Sequence, residues 1–176
     1  MKNVGVIIVA LVLAVGLGIW ATKHPPKINL KPSLSGTLHE VAYVYDGDTI
    51  KLDNGERVRL IGIDSPESHN NPKLVRDVNK RHSDRETQLA LGKKAGMYVK
   101  DFLRGQHVRL EYDVEQHDRY GRTLAYVYMS DGTFVNQKII EDGYAYPLTI
   151  PPNVRYAHLF KQWFDESREQ KRGLWQ

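Results

Sequence analysis

From Thr37 to Ile63 the chain runs through three short segments, about 37–46, 48–53 and 56–63, in which β-branched and aromatic residues recur. They are broken only at Gly47 and at Asn54-Gly55, the second a type I′ hairpin signal. In the third segment, alternation sends Val58 and Leu60 to one face and Arg57 and Arg59 to the other. Two more strands are predicted at about 106–114 and 122–130, with Asp131-Gly132 as the following turn. A helix begins at the capping pattern Ser83-Asp84-Arg85-Glu86 and runs to about Leu103 or Arg104, before Gly105. Phe134 to Asp142 reads as a short helix stopped by Gly143. A last helix, about Asn153 to Arg172, carries Val154, Ala157, Phe160 and Phe164 on one stripe joined by Leu159 and Trp163, a core face. Residues 68–82 are polar and rich in Lys and Arg, and read as a surface loop near an anionic ligand.

Five strands with no βαβ alternation exclude a doubly wound sheet and point to a small β-barrel with about three helices. At 176 residues, 41% hydrophobic and 26% charged, the chain has room for one such domain with appendages. The absence of cysteine excludes disulfides, zinc-thiolate sites and thiol catalysis. A formal charge of +4 is compatible with a polyanionic partner without specifying one.

The first residues differ in kind. Val4 to Ala21 is an uncharged run of 18 residues flanked by Lys2 and Lys23, close to the roughly 20 needed to cross a bilayer. A secretory signal has a shorter apolar centre, about 7–15 residues, and Ile19-Trp20-Ala21 is a mediocre cleavage site, whereas Trp20 suits an interfacial anchor. The expectation is an N-terminal transmembrane signal anchor over 1–21, with a cleaved signal and secretion as the alternative. A Pro-containing linker follows over 22–36 and the folded domain over 37–176. The positive-inside count opposes an exterior domain. The short tail before a first apolar segment favours export, and the domain is expected outside the cytoplasm, as a monomer.

Three motifs carry chemistry. Asp46-Gly47-Asp48-Thr49 alone would be a tight turn, and it is not an EF-hand loop, since the fifth, sixth and twelfth positions are Ile50, Lys51 and Arg57. Asp64-Ser65-Pro66-Glu67 adds a second acid cluster five residues after Arg59, and Asp118-Arg119-Tyr120-Gly121-Arg122 adds another pair of guanidiniums. Together they supply carboxylates for a hard cation and planar forks for a phosphate, the inventory of a metal-assisted phosphodiesterase.

With these motifs in order, followed by Leu-Ala-Tyr-Val-Tyr and Val-Asn, the chain resembles the staphylococcal nuclease family from about Thr37 to Trp175, interrupted over 68–88. The resemblance implies an OB-fold barrel and Ca²⁺-dependent hydrolysis of single- and double-stranded DNA and of RNA, with the 5′ oxygen leaving. It implies that Asp48, Asp64 and the carbonyl of Ser65 bind calcium. It implies further that Glu67 positions or deprotonates the attacking water and that Arg59 and Arg122 bracket the phosphate. Asp46 and Thr49 would hold Asp48 by hydrogen bonds, and Arg119 would touch a neighbouring phosphate. The family type has two tyrosines near the positions of 149–151, where base and terminal phosphate rest; this chain has Thr149-Ile150-Pro151. Tyr144, Tyr146 and Tyr156 lie nearby in sequence and are the candidates for substitutes, though the expected role of each is structural.

Two competing functions remain at this level. One is an inactive OB module that binds nucleic acid; the joint presence of Asp48, Arg59, Asp64, Glu67 and Arg122 argues against it. The other is a Ca²⁺-stabilised membrane-surface protein, which leaves the paired arginines unexplained.

Overall fold

The computed structural model describes residues 36–176; the expected signal anchor and nearly all of the expected linker lie outside them. Five strands close a barrel in the order β1 (His39–Val44), β2 (Thr49–Leu52), β3 (Arg57–Leu60), β6 (Thr123–Met129) and β5 (His107–Glu111), as an OB-fold requires. All barrel neighbours are antiparallel except β3 and β6, which run parallel. Ile50, Leu52, Val58, Val108 and Val127 are fully buried inside. The alternation is as expected: Val58 and Leu60 enter the core while Arg57 and Arg59 leave it.

The predicted third strand divides. Ile61 interrupts it, and Gly62–Asp64 becomes β4, paired antiparallel with β7 (Tyr146–Leu148), a strand not predicted. The break is held by Asn136, buried, which accepts from the Val127 amide at 2.9 Å and donates to the Ile61 carbonyl at 2.8 Å. β4 therefore turns away from the barrel and brings Asp64 back toward Arg59.

The β2–β3 hairpin forms with a different turn from the one expected. Asn54 keeps a negative φ, so the turn is not type I′. The Gly55 amide donates to the Leu52 carbonyl at 3.0 Å and Gly55 itself takes φ +88, a three-residue loop over 53–55 with glycine in the left-handed position. The loop is one residue longer than expected, and side chains brace it: the Asp53 carboxylate accepts from the Asn54 amide at 2.8 Å and the Asn54 carboxamide oxygen from the Glu56 amide at 3.0 Å.

Four α-helices lie among the described residues, one more than expected. Residues 72–81 form α1 (Pro72–Arg81) rather than a loop. Asn71 caps it by accepting from the Leu74 amide at 2.8 Å, Pro72 occupies the first turn, and Leu74 is fully buried. Polar composition hid a helix that needs only one apolar anchor. Next, α2 (Arg85–Leu103) is capped by Asp84 rather than Ser83, through the Thr87 amide at 2.8 Å. Then α3 (Val135–Glu141) and α4 (Ala157–Glu169) pack together. The last helix is shorter than predicted; Val154 lies outside it and is exposed, and a 3₁₀ turn follows at Gly173–Trp175. Its aromatic stripe is core: Phe160 and Trp163 pack against Phe134, and Phe160 stacks near Tyr126. Each such ring contributes about 1.5–3 kcal/mol by burial. Among the described residues no helix is long and apolar enough to cross a membrane.

Candidate active site

The register of the β2–β3 hairpin places Thr49 opposite Arg59, so the guanidinium rises beside the Asp46–Asp48 turn. Asp48 is almost completely buried, at 4% exposure. Each of its oxygens is held: Oδ1 accepts from the Thr49 hydroxyl at 3.0 Å and ion-pairs with Arg59 Nη1, and Oδ2 accepts from the Ser65 amide at 2.8 Å. Asp46 accepts from the Asp48 amide at 3.0 Å, tying the turn together. Arg59 Nη2 reaches Asp64 Oδ1 at 3.4 Å. One planar fork thus spans the two acid motifs, which a lysine could not do.

A second cation enters from α1. Lys73 Nζ lies 2.8 Å from Asp64 Oδ1 and donates to Glu67 Oε1 at 2.6 Å and to the Ser65 carbonyl at 3.1 Å. Asn71, the cap of the same helix, donates to Glu67 Oε2 at 2.5 Å. The backbone of Glu67 is seated against α2 at Gly92, where a Cβ would fall 2.2 Å from the Glu67 carbonyl oxygen. Likewise a Cβ at Gly47 would fall 2.3 Å from Ser65 Oγ. Both glycines are therefore set by the close approach of chain to chain, not by flexibility.

The electrostatics follow from burial. Burial pushes Asp46 up, and the charge of Asp48 adds to it, to about 7. Burial would also raise Asp48, but Arg59, then Lys73 and the Ser65 amide, hold it below the ordinary carboxylate value. Lys73 and Arg59 are driven the same way by their acids: burial opposes their charge, and Asp48 followed by Asp64 overcomes it, raising both.

Beside this cluster lies a cleft of roughly 390 Å³ lined by Arg59, Ile61, Arg122, Leu124, Leu148 and Ile150 among others. Asp118 orients Arg122, accepting from its amide at 3.0 Å and from Nε at 2.7 Å. Asn153 joins two walls, accepting from the Glu115 amide and donating to the Glu115 carbonyl, both at 2.8 Å. At the mouth, Tyr120 is 69% exposed, with the Arg119 guanidinium 4.8 Å from its ring centre and bonded to its hydroxyl at 2.7 Å.

The structure brings Asp48, Arg59, Asp64, Ser65 and Glu67 into one cluster and puts Arg122 and Arg119 on the wall of the adjoining cleft. The tyrosines named as substitutes do not line that cleft. Tyr144 stacks on Tyr98 at 3.9 Å, Tyr146 packs on Phe164 and Trp175, and Tyr156 bonds Glu111 at 3.0 Å. Aliphatic Leu148 and Ile150 stand there instead. Sequence reasoning missed Lys73, Asn71 and Tyr120. The Asn-Pro dipeptide was a legible helix start that would have aimed Lys73 toward the acids.

Among the described residues no three His, Cys, Asp or Glu side chains form a metal-sized group. The oxygens around Lys73 Nζ are two carboxylates and one main-chain carbonyl, all hard donors. An ammonium already sits among them at 2.6–3.1 Å, so the donor set suits a hard cation, whose calcium–oxygen distances are about 2.3–2.6 Å.

Residues 57–176 match the family model described as staphylococcal nuclease homologue. The chain is 35% identical to the thermonuclease of Staphylococcus intermedius over 98% of its own length and 96% of that protein's, and 31% identical to that of Staphylococcus hyicus over 97% and 94%. An uncharacterized endonuclease of Escherichia coli is 32% identical over 82% of this chain and 81% of its own. The region matched by the family model holds β3, Asp64, Glu67 and the cleft arginines Arg59, Arg119 and Arg122, and the thermonuclease matches extend over the Asp46–Asp48 turn as well; this chain belongs to the staphylococcal nuclease family and is a nuclease, a hydrolase.

Proposed function

We propose that the protein is a calcium-dependent nuclease that hydrolyses DNA and RNA by water attack on phosphorus, with the 5′ oxygen leaving. The observation that carries this reading is the convergence of Asp64, Glu67 and the Ser65 carbonyl on one cationic point beside the Asp48–Arg59 pair. Asp48, Asp64 and the Ser65 carbonyl would hold the cation. A main-chain carbonyl beside carboxylates favours calcium over magnesium, which keeps several waters and takes one or two carboxylates. When bound, calcium supplies charge that polarises a phosphoryl oxygen.

The remaining roles belong to the chain. Arg59 and Arg122, on adjoining parts of one cleft, bind the phosphate and neutralise the charge that grows on it. Glu67, once released by Lys73, orients or deprotonates the water. Asp118 fixes Arg122, and Arg119 extends the cationic wall to a neighbouring phosphate. The apolar run Val4–Ala21 supports membrane anchoring; in this reading the domain over 37–176 lies outside the cytoplasm, as a monomer.

The test is cleavage of single-stranded DNA by the full chain with calcium, with magnesium and with a chelator, alongside Glu67→Ala and Arg59→Ala. Calcium-dependent cleavage falling about 10²–10³-fold in each variant is expected. Tight binding without cleavage would replace this reading with that of an OB binding module.

A further inference from the structure

Apart from Thr49 and Arg59, the outer face of the first three strands is not used by the chemistry above. β2–β3 pairing sets Thr49 opposite Arg59 and Lys51 opposite Arg57. β1 continues both rows: Tyr43 stands opposite Lys51, and the Tyr45 amide donates to the Thr49 carbonyl at 2.9 Å. Side chains two apart on a strand share a face, so Tyr45–Thr49–Arg59 and Tyr43–Lys51–Arg57 form parallel rows about 6.8 Å apart. Arg57 precedes Val58 and Arg122 precedes Thr123, the first parallel pair of β3 and β6, so the second row ends beside the chain segment that carries the cleft arginine Arg122.

The opposite face of these strands is fully buried at Ile50, Leu52 and Val58, yet Tyr43 is 55% and Tyr45 38% exposed. The register shift between Val41 and Tyr43 is a bulge, a device that re-aims side chains. The two rings meet edge to face at 5.0 Å, and the Arg57 guanidinium lies 4.7 Å over Tyr45. The acids of the adjoining hairpin are engaged elsewhere: Glu56 by the Thr123 hydroxyl and Asn54, Asp53 by His39.

We propose that this face is a platform for single-stranded nucleic acid, on which Tyr43 and Tyr45 stack bases, and Lys51 and Arg57 hold phosphates, of nucleotides flanking the scissile one. The inference rests on the reading that a phosphate sits at Arg59. Three features favour a strand over a protein partner. The patch pairs exposed rings with Lys51 and Arg57, which make no ion pair among the described residues. It is continuous with the row that carries Arg59. It also occupies the strand 2–3 face with which OB-folds bind oligonucleotides.

The test uses the full chain and a long oligothymidylate against a thymidine dinucleotide. Direct binding is followed by anisotropy in the chelated protein, and cleavage with calcium. Tyr43→Ala/Tyr45→Ala should weaken binding of the long strand about tenfold and remove a similar factor from its kcat/KM advantage over the dinucleotide. Lys51→Gln/Arg57→Gln should flatten the slope of log K against log salt by about 1.4. Unchanged affinity and salt slope in both folded variants, checked by Tm, would overturn the platform and turn attention to a protein partner for this face. If the wild type binds but does not cleave, the nuclease mechanism fails while the binding comparison still decides the platform.

Discussion

Two acid–arginine clusters sit on this small barrel, and only one has the makings of a site. In the first, Asp46, Asp48, Asp64 and Glu67 face Arg59 and Lys73, so acids outnumber cations, and oxygens from two carboxylates and a carbonyl meet at one ammonium. In the second, Glu111 and Asp113 face Arg155, and two phenols complete the set: Tyr156 donates to Glu111 at 3.0 Å and Tyr126 to Asp113 at 3.1 Å. There the arginine is 44% exposed, and its charge and the two hydroxyls satisfy the acids from both ends of the chain segment. Counting carboxylates does not separate the two. What separates them is buried negative charge in excess of fixed donors, with oxygens converging on a point that a flexible lysine occupies.

The strongest way to break this comparison is to weaken both arginines. Arg59→Lys, which keeps the charge but loses the fork, should lower kcat about 10²–10³-fold. Arg155→Gln should leave kcat unchanged and lower Tm by a few degrees, as befits a half-exposed pair. Equal losses in steady-state cleavage would show the clusters to be alike. Next in size is Gly92→Ala: with the Glu67 carbonyl only 2.2 Å from the new Cβ, the Glu67 backbone must move. A displacement near 1 Å costs about 10² in rate, and kcat should fall with calcium affinity preserved.

Lys73→Met sharpens the comparison at the cation point. It should tighten calcium binding several-fold by calorimetry, because no ammonium competes, and lower the Tm of the chelated protein, because Asp64 and Glu67 lose their counter-charge. Weaker calcium binding in this variant would mean that Lys73 helps to build the site.

The smallest effect concerns Asp46. Folded, it keeps its proton to about pH 7, whereas an ordinary carboxyl loses it near 3.8. The folded state therefore binds more protons across this interval, and stability falls as pH rises from about 4 through about 7. Asp46→Asn keeps the acceptor for the Asp48 amide without the charge. It should melt higher than the wild type at pH 8 and equally at pH 4, in chelator. A constant difference at all pH values would place the effect in packing instead.

Strand alternation, the place of the β2–β3 hairpin, the stops of α2 and α3 and the three motifs were legible in the residues, because each depends on near neighbours in the chain; the type of the hairpin turn and the ends of α4 were not. Val58 and Leu60 point inward wherever β3 lies, and Asp46-Gly47-Asp48 turns wherever it occurs. The break at Ile61 was not legible, since it is enforced by Asn136, seventy-five residues away along the chain. The 72–81 helix was partly so. Its cap and proline were visible, but its polar composition concealed the single buried anchor, Leu74.

The sequence by itself determined which chemical groups the protein owns: hard oxygens, the guanidiniums of Arg59, Arg119 and Arg122, and the order that marks the family. The tertiary structure alone decided what they meet. Lys73 reaches Asp64, Glu67 and the Ser65 carbonyl because α1 packs there, and Leu148 and Ile150 line the cleft because β7 pairs with β4. Local propensity acts over a few residues, whereas the field at a carboxylate is the sum over every charge that folding brings within several ångströms.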